Sequence, residues 1–313
     1  MNRMSGIINV IKPPGMSSHQ VVSYVRKLLR MDRVGHTGTL DPGASGVLPL
    51  CVGKATKLVP FLTDYDKSYI AELTFGIETD TQDASGATTQ MDFSVRITPN
   101  ALGTAFSRFL GKIDQVPPMA SAIRIDGVRL YELQRQGLTV ERQPRQVEIK
   151  ELHINKVWPD GPELTFGSRV LFFVRCSKGT YIRTLCHDIG RSLNTCAHMS
   201  FLTRIAVGPF TMENAYTLEE IAEHVQKSDF SFLLPMEQAL PDYTRVLVSP
   251  LVEKRILQGN AIEPKDLVDV PKTLAVGDQV LLMSIDGDLL SIGEIRYKGK
   301  LICQPIRVLK EGQ

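Results

Sequence analysis

Cysteine is scarce in this sequence, and its placement excludes two ways of stabilising a fold. Only five of 313 residues are cysteine, an odd number, widely scattered and without a C-x-x-C pair: Cys51, Cys176, Cys186, Cys196 and Cys303. This pattern is a poor disulfide framework and lacks the ligand spacing of a zinc site. We therefore predict reduced thiols, as in a cytosolic protein.

Long apolar runs are also missing. No stretch approaches the roughly 18 consecutive apolar residues that indicate a membrane-spanning helix. The opening MNRMSGIINVIKPPG has a short apolar patch that leads directly into a Lys-Pro-Pro-Gly turn, without the longer apolar core and cleavage site of a signal peptide. We expect a first β-strand at this patch, no association with a membrane, and a cytoplasmic protein.

Charge of one sign is not in excess. The chain has 36 basic and 34 acidic residues, a formal net charge of +2. A nucleic-acid-binding face depends on local clustering of basic side chains and not on the total. The balance therefore neither requires nor excludes a nucleic-acid partner.

The usual cofactor motifs are absent. GVLPLCVGKAT resembles a phosphate-binding loop only superficially, because Leu48 stands at the first glycine position and Ala55 follows Gly53-Lys54. No G-x-G-x-x-G follows a strand, no G-x-S-x-G occurs, and the histidines and cysteines lack metal-ligand spacing. Nothing in the sequence supports a nucleotide, dinucleotide or metal cofactor.

The patterns that are present predict alternating strands and helices. Branched residues at 6–12, alternation at 67–79, and apolar runs at 147–158 and 168–177 indicate strands, and Asp126-Gly127 indicates a hairpin. Helical spacing follows a serine cap at Ser17 or Ser18, and further helices are predicted at 101–113 and after the turn at Gly179. We predict a mixed α+β fold with a largely antiparallel sheet.

The pattern of predicted elements changes between residues 240 and 250. Beyond this point, short and evenly spaced strands alternate with Asp-Gly and Lys-Gly turns. Such a run favours a small closed β unit. We predict two domains, 1–240 and 241–313.

One loop concentrates unusual residues. GHTGTLDPGASG, residues 35–46, contains four glycines, His36 and a single carboxylate, Asp41. An Asp-Pro turn with a self-capping side chain accounts for part of this pattern. The glycine density exceeds the need of one turn, and glycine lets a backbone approach a ligand closely. Asp41 is therefore also a candidate nucleophile or proton acceptor.

Two further segments offer side chains that suit such an acid. SKGTYIRTL, residues 177–185, gathers Lys178, Tyr181 and Arg183 at a strand-to-helix corner, either as a solvated basic corner or as a partner for an anion. If Arg183 faces Asp41, its charge favours the ionised carboxylate. Tyr69 is either ordinary strand packing or a flat face and a hydroxyl for a base.

Five segments, in this order, resemble the TruB family, the bacterial tRNA pseudouridine synthases that modify uridine 55 in the T loop. They are KPPGMSSHQVV, RVGHTGTLDPGASGVLPLCVGKATK, KSYIAELTFGIETDTQD, PPMASAIRIDGVRLYEL and CSKGTYIRTLCHDIG. HMSFLTRIAVGPF matches a later segment of the family. Two positions depart from the family pattern: Ala120, where tyrosine is common, and Thr203, which together with Arg204 stands where a pair of arginines is common.

The resemblance implies a role for each matching residue. Asp41 is the catalytic aspartate, Arg183 its ion-pair partner, and Tyr69 stacks on the target uracil. His36, Tyr181 and Leu202 line the pocket for the extruded nucleotide, and Lys12 lies in the motif that buttresses the catalytic loop. Whether Asp41 attacks the base, attacks the sugar or removes the C2′ proton stays open.

The resemblance also implies partners. The synthase domain binds the T arm of tRNA, and a PUA-like β-barrel at 241–313 holds the acceptor-stem end. No cofactor, no obligatory protein partner and a monomeric state are expected.

Three other readings remain. A guide-RNA-directed synthase shares these motifs, but usually carries basic extensions that this chain lacks. An RNA-binding or RNA-folding module would use the acid only structurally. A glycoside hydrolase needs two carboxylates, for which Asp80 or Asp83 would have to join Asp41.

Overall fold

The computed structural model describes residues 4–125, 127–269 and 274–310. Helices alternate with strands along the chain: α1 (Ser18–Leu29), α2 (Val59–Thr63), α3 (Pro99–Arg108), α4 (Leu130–Arg135), α5 (Ile182–Ser192), α6 (Leu218–Gln226) and α7 (Pro250–Leu257). The first helix begins as expected from the sequence, because Ser17 and Gln20 form a capping box there.

The strands fall into two main groups. Those of the larger part are β1 (Gly6–Lys12), β2 (Val34–His36), β3 (Ser45–Val52), β4 (Lys67–Phe75), β5 (Ile77–Thr79), β6 (Thr88–Met91), β7 (Gly111–Gln115), β8 (Arg124–Ile125), β9 (Val128–Arg129), β10 (Arg145–Trp158), β11 (Arg169–Cys176), β12 (Ala197–Val207), β13 (Phe210–Thr211) and β14 (Leu233–Leu234). Those near the C-terminus are β15 (Thr244–Val248), β16 (Leu267–Asp269), β17 (Gln279–Met283), β18 (Leu289–Tyr297) and β19 (Leu301–Val308).

A ten-stranded sheet forms the centre of the molecule. Its order is β14-β1-β3-β12-β4-β11-β10-β7, with β2 added on β3 and β13 on β12. Every pairing is antiparallel except β3 with β12, which is parallel. The predicted α+β class with a largely antiparallel sheet is confirmed.

Two predicted elements are shorter than expected. The strand predicted at 67–79 ends at Phe75, because Gly76 adopts φ +90°, and the chain continues as β5 in a separate hairpin with β6. The helix predicted at 101–113 ends at Arg108, because residues from Gly111 onward pair with β10 as an edge strand. The hairpin predicted at Asp126-Gly127 agrees with the β8–β9 pairing, although Asp126 itself lies outside the described residues.

The C-terminal strands form a second sheet in the order β16-β15-β17-β18-β19. Closure of this sheet into a PUA-like barrel stays a prediction, as does the division of the chain at 240/241. Apolar side chains from both sides of that division share one buried cluster, in which Ile7 and Val47 join Leu281 and Ile292.

A separate core lies between the sheet and helices α3 and α5. It contains buried side chains of β4, β11 and β12, and also Leu40 and Ala44 from the glycine-rich loop. The loop around Asp41 is therefore anchored in the main core of the protein on its apolar side.

Candidate active site

Asp41 lies in the loop that joins β2 to β3. These strands form an antiparallel hairpin, so residues 37–44 project from one end of the central sheet. The hydroxyl of Ser18, at the start of α1, accepts from the Leu40 amide at 2.8 Å and donates to the Leu40 carbonyl at 3.0 Å. The loop is thus tied to α1 immediately before the aspartate.

Lys12 fixes the other side of the same loop. Its fully buried ammonium donates to the carbonyl of Pro42, the residue after Asp41, at 3.2 Å, and to the carbonyls of Pro13 and Met16. Burial lowers the pKa of Lys12 to about 8, and the nearby Asp41 opposes this shift. Lys12 therefore ties the loop at Pro42 to the turn that follows β1.

Arg183 reaches Asp41 from the first turn of α5. Its Nε lies 3.0 Å from Oδ2 of Asp41, and its Nη2 donates to Oδ1 at 3.4 Å. The arginine side chain is 5% exposed, whereas that of the aspartate is 37% exposed. The two residues, 142 positions apart in the sequence, form a two-point ion pair with one side open to solvent.

The guanidinium of Arg183 is also held by two other segments, residues 81–83 and Ala120. Its Nη1 donates to the carbonyl of Thr81 at 3.1 Å, and its Nη2 to the carbonyl of Ala120 at 2.9 Å. The Oδ2 of Asp83 lies 3.6 Å from Nη1, so that Arg183 is shared between two carboxylates. These contacts hold the arginine in one orientation before any ligand arrives.

Asp83 is the residue of this site that sequence reasoning did not assign to the ion pair. The sequence singled it out only as a second acid for hydrolysis. Its other carboxylate oxygen accepts from the Ser85 amide at 2.9 Å and from the hydroxyl of Thr81 at 2.8 Å. The polar segment DTQDASG, residues 80–86, is the sequence feature that could have drawn attention to Asp83. Only the fold shows that this segment faces α5.

The charge state of Asp41 results from opposing effects. Burial raises its pKa above the ordinary carboxyl value, and the negative charge of Asp83 adds to this increase. Arg183 and Lys12 act in the opposite direction. Asp41 is therefore a carboxylate that protonates more readily than an ordinary aspartate.

Tyr69 and Leu202 line the sheet beside this loop. Tyr69 in β4 lies opposite Arg204 in β12, and Leu202 lies opposite Ala71. Both side chains are buried in the core cluster that contains Leu40 and Ala44. Burial raises the pKa of Tyr69 to about 12, so the phenol is neutral at pH 7.

Tyr181 and His36 complete the set named from the sequence. The backbone of Tyr181, at the N-cap of α5, exchanges two hydrogen bonds with the side chain of Gln115, and the charges of Arg183 and Asp41 act on its phenol. The Nδ1 of His36 accepts from the Gly38 amide at 3.3 Å, and burial lowers its pKa. A neutral His36 therefore carries its proton on Nε2.

The two departures from the family pattern leave the ion pair intact. Ala120 contributes its backbone carbonyl to Arg183, which is independent of the side chain. Thr203 shares a hydrogen bond of 2.7 Å with the hydroxyl of Ser45. Neither side chain contacts Asp41 in these bonds.

The described residues contain neither a candidate metal centre nor a helix that could span a membrane. Within residues 4–125, 127–269 and 274–310, no cluster of three or more histidine, cysteine or acidic side chains has the geometry to hold a metal ion. In the same ranges no helix is long and apolar enough to cross a membrane. The five cysteines are buried and unpaired.

Comparison with known proteins covers almost the whole chain. Residues 26–182 match the family model of the TruB family pseudouridylate synthase N-terminal domain, and residues 183–241 match the tRNA pseudouridylate synthase B C-terminal domain. A tRNA pseudouridine synthase B of Alkaliphilus oremlandii is 47% identical over 85% of each chain. Another, of Moorella thermoacetica, is 42% identical over 97% of this chain and 99% of its own.

Solved structures give the same fold. The chain superimposes on a protein from a Cbf5–Nop10–Gar1 complex with a TM-score of 0.73 and 26% identity, covering 98% of this chain and 85% of that one. A chain from an H/ACA ribonucleoprotein bound to a substrate RNA gives a TM-score of 0.73 at 24% identity, covering 97% of this chain and 85% of the other.

Proposed function

This chain belongs to the TruB family of pseudouridylate synthases, and we propose that its target is uridine 55 in the T loop of tRNA. As a member of this family it is an isomerase that acts on tRNA. The likeness to curated tRNA pseudouridine synthases B supports this choice of substrate. The observation that carries the proposed chemistry is the ion pair between Asp41 and Arg183, which holds a carboxylate at the open side of a buried arginine.

The isomerisation needs few chemical groups. The N1–C1′ bond of uridine breaks, the base turns, and C5 bonds to C1′, with the C5 proton finally replaced by one on N1. No atoms are gained or lost and no redox change occurs, so the reaction itself requires no cofactor. Retaining the detached uracil in a closed pocket makes its reattachment effectively intramolecular.

Asp41 is the residue proposed to act on the nucleotide. Its ionised carboxylate attacks the base, attacks the sugar or removes the C2′ proton, and Arg183 orients it for any of these steps. The buried guanidinium pairs with both carboxylate oxygens, which leaves the carboxylate little rotational freedom. An aspartate that only capped its own turn would need no such arginine. The fixed orientation therefore supports a catalytic role for Asp41.

The remaining site residues are proposed to hold the flipped nucleotide. Tyr69 offers a ring face to the uracil and assists proton removal, while Leu202 and Tyr181 supply the walls. Extrusion of a base costs a few kcal/mol of unstacking. His36, at the mouth of the loop, occupies the space that the base leaves.

The larger assembly is proposed to be a monomer that acts on bare tRNA in the cytoplasm without a protein partner. Residues 241–313 would contact the acceptor-stem end of the tRNA as a PUA-like domain. The likeness to chains from H/ACA complexes makes guide-RNA-directed modification the second candidate function. Conversion of an unmodified T-arm transcript by the protein alone separates these two.

Asp41→Asn tests the proposal. Pure protein is incubated with a T-arm minihelix and EDTA, and pseudouridine is mapped at each uridine. We expect modification at position 55 by the wild type, and a loss of about a thousandfold or more in Asp41→Asn with tRNA affinity largely retained. Asp188→Asn, a carboxylate on α5 outside the ion pair, serves as the control.

Four outcomes would contradict the proposal. Modification at another uridine would refute the target, and substantial turnover by Asp41→Asn would refute the role of the aspartate. Conversion only after a guide RNA and partner proteins are added would favour the second candidate. Release of free uracil would instead indicate hydrolysis.

A further inference from the structure

Arg204 is the largest fully buried side chain in the described part of the protein, and it carries a charge. Arg183 is paired with two carboxylates, whereas the guanidinium of Arg204 donates to backbone carbonyls. Burial of a guanidinium paired only with neutral groups is expensive. Such an arrangement needs a reason beyond packing, because an apolar side chain would fill the same volume at lower cost.

The two carbonyls lie at opposite ends of the catalytic loop. The Nε of Arg204 donates to Val47 at 2.7 Å, and its Nη2 donates to Gly38 at 3.1 Å. These residues bracket Asp41 in the sequence, three positions before it and six after. One side chain therefore clamps both ends of the segment that presents the aspartate.

The third neighbour of this guanidinium is the phenol of Tyr69. The two residues lie directly opposite each other on β12 and β4, so their buried side chains stand side by side on one face of the sheet. Arginine has N–H donors and no acceptor, and its positive charge acts on the phenol of Tyr69, so the phenol oxygen is favoured on the side that faces the guanidinium. This attraction disfavours orientations of the Tyr69 ring that turn the phenol oxygen away from Arg204.

We propose that Arg204 is a positioning residue that acts through Tyr69: it orients the phenol toward the nucleotide pocket while it bonds to both ends of the catalytic loop. The inference rests on the proposed function, since it concerns the same reaction. A purely structural Arg204 would stabilise the loop whatever stands at position 69. A positioning Arg204 loses most of its effect on the rate when the phenol oxygen is removed.

A double-mutant cycle on the full-length protein distinguishes these roles. Single-turnover pseudouridine formation and tRNA affinity are measured for wild type, Arg204→Lys, Tyr69→Phe and the double variant. We expect Arg204→Lys to slow the wild-type reaction about tenfold or more with tRNA affinity nearly unchanged, but to slow the Tyr69→Phe enzyme less than about threefold. Equal slowing in both backgrounds, or no slowing in either, would overturn the inference.

Thr203→Val is the matched control. Thr203 precedes Arg204 on β12 and also bonds to the base of the loop, at Ser45, but it points to the other face of the sheet. We expect the single-turnover rate of Thr203→Val to stay within about threefold of the wild-type rate. An equal loss in Thr203→Val and Arg204→Lys would assign the effect to the strand contact and refute the role through Tyr69.

A second measurement does not depend on activity or on the folding of Arg204→Lys. In protein labelled with ¹⁵N-arginine, the guanidinium resonances of Arg204 should shift on Tyr69→Phe, while those of Arg183 change little. Unchanged Arg204 resonances would overturn the inference. Failure of the wild type to form pseudouridine would refute the proposed function and leave this spectroscopic result intact.

Discussion

Arg183 has two carboxylate neighbours, and their different exposure separates their functions. Asp41 contacts it at 3.0 Å and remains open to solvent on one side, whereas Asp83 stands at 3.6 Å with a side chain only 16% exposed. Asp83 is further occupied by bonds within its own loop. At the scale of single residues, Asp41 is thus the acid available to a ligand, and Asp83 is an electrostatic neighbour.

This arrangement predicts a pH effect. The titratable groups that act on Asp41 are Arg183, Asp83 and Lys12. If ionised Asp41 drives the reaction, the rate falls as the pH is lowered through its raised pKa. Replacement by Asp83→Asn removes a negative charge, which lowers the pKa of Asp41. The acidic limb of the single-turnover rate profile should therefore move to lower pH.

Asp80→Asn is the control for this experiment. Asp80 lies in the same polar loop, but its carboxylate accepts from the Ala87 amide, a bond that an asparagine oxygen can also make. The acidic limb of the rate profile of Asp80→Asn should coincide with that of the wild type. A limb that moves to higher pH in Asp83→Asn would contradict the electrostatic account.

At the scale of elements, the loop depends on how closely β3 approaches β12. Gly46 and Arg204 are partners in the parallel pairing of these strands, and Gly46 adopts φ +107°. A Cβ atom at this position would lie 2.1 Å from the carbonyl oxygen of Arg204. The glycine is therefore required by the strand contact and not only by the turn.

Gly46→Ala tests this requirement. Backbone strain at positive φ and the clash with the neighbouring strand should together lower the free energy of unfolding by about 2 kcal/mol or more, measured by urea denaturation. Gly43→Ala is the matched control, because a Cβ at Gly43 meets nothing within 4 Å. Equal stability of the two variants would show that β3 and β12 do not approach as closely as described.

At the scale of the whole molecule, the C-terminal sheet shares its core with the larger part. Leu281, Ile292 and Leu309 are fully buried in a cluster with side chains of β1 and β3. Lys57 also donates to the carbonyl of Val308 at 2.8 Å. Burial of each apolar side chain contributes about 1.5–3 kcal/mol, so three of them together approach the net stability of a typical domain.

We therefore predict that the two parts unfold together. Leu281→Ala should lower the free energy of unfolding by about 2–4 kcal/mol. Trp158, the single tryptophan, lies in β10 of the larger part and provides a fluorescence probe there. In Leu281→Ala, the unfolding transition followed by Trp158 fluorescence should shift together with the transition followed by far-UV circular dichroism. Leu251→Ala, at a side chain that is 90% exposed, should leave both unchanged. A Trp158 transition that is unaffected by Leu281→Ala would indicate independent domains.

Local patterns sufficed for much of the fold and of the site. Interactions within a few residues produce the alternation of β4, the serine cap of α1 and the strands β10 and β11. The sequence therefore predicted these elements closely. The same holds for the loop around Asp41, whose glycines and single carboxylate are visible in twelve consecutive letters. The resemblance to a family then supplied roles that local patterns could not.

The sequence by itself determined the residue types of the site: an acid on a glycine-rich loop, an arginine at a strand-to-helix corner, and a tyrosine on a strand. Only the tertiary structure decided their distances, the sharing of Arg183 with Asp83, and the clamp that Arg204 forms across the loop. These features join segments more than 60 residues apart in sequence. Local periodicity carries no information about such distances, because strand order and side-chain burial are fixed only when the whole sheet forms.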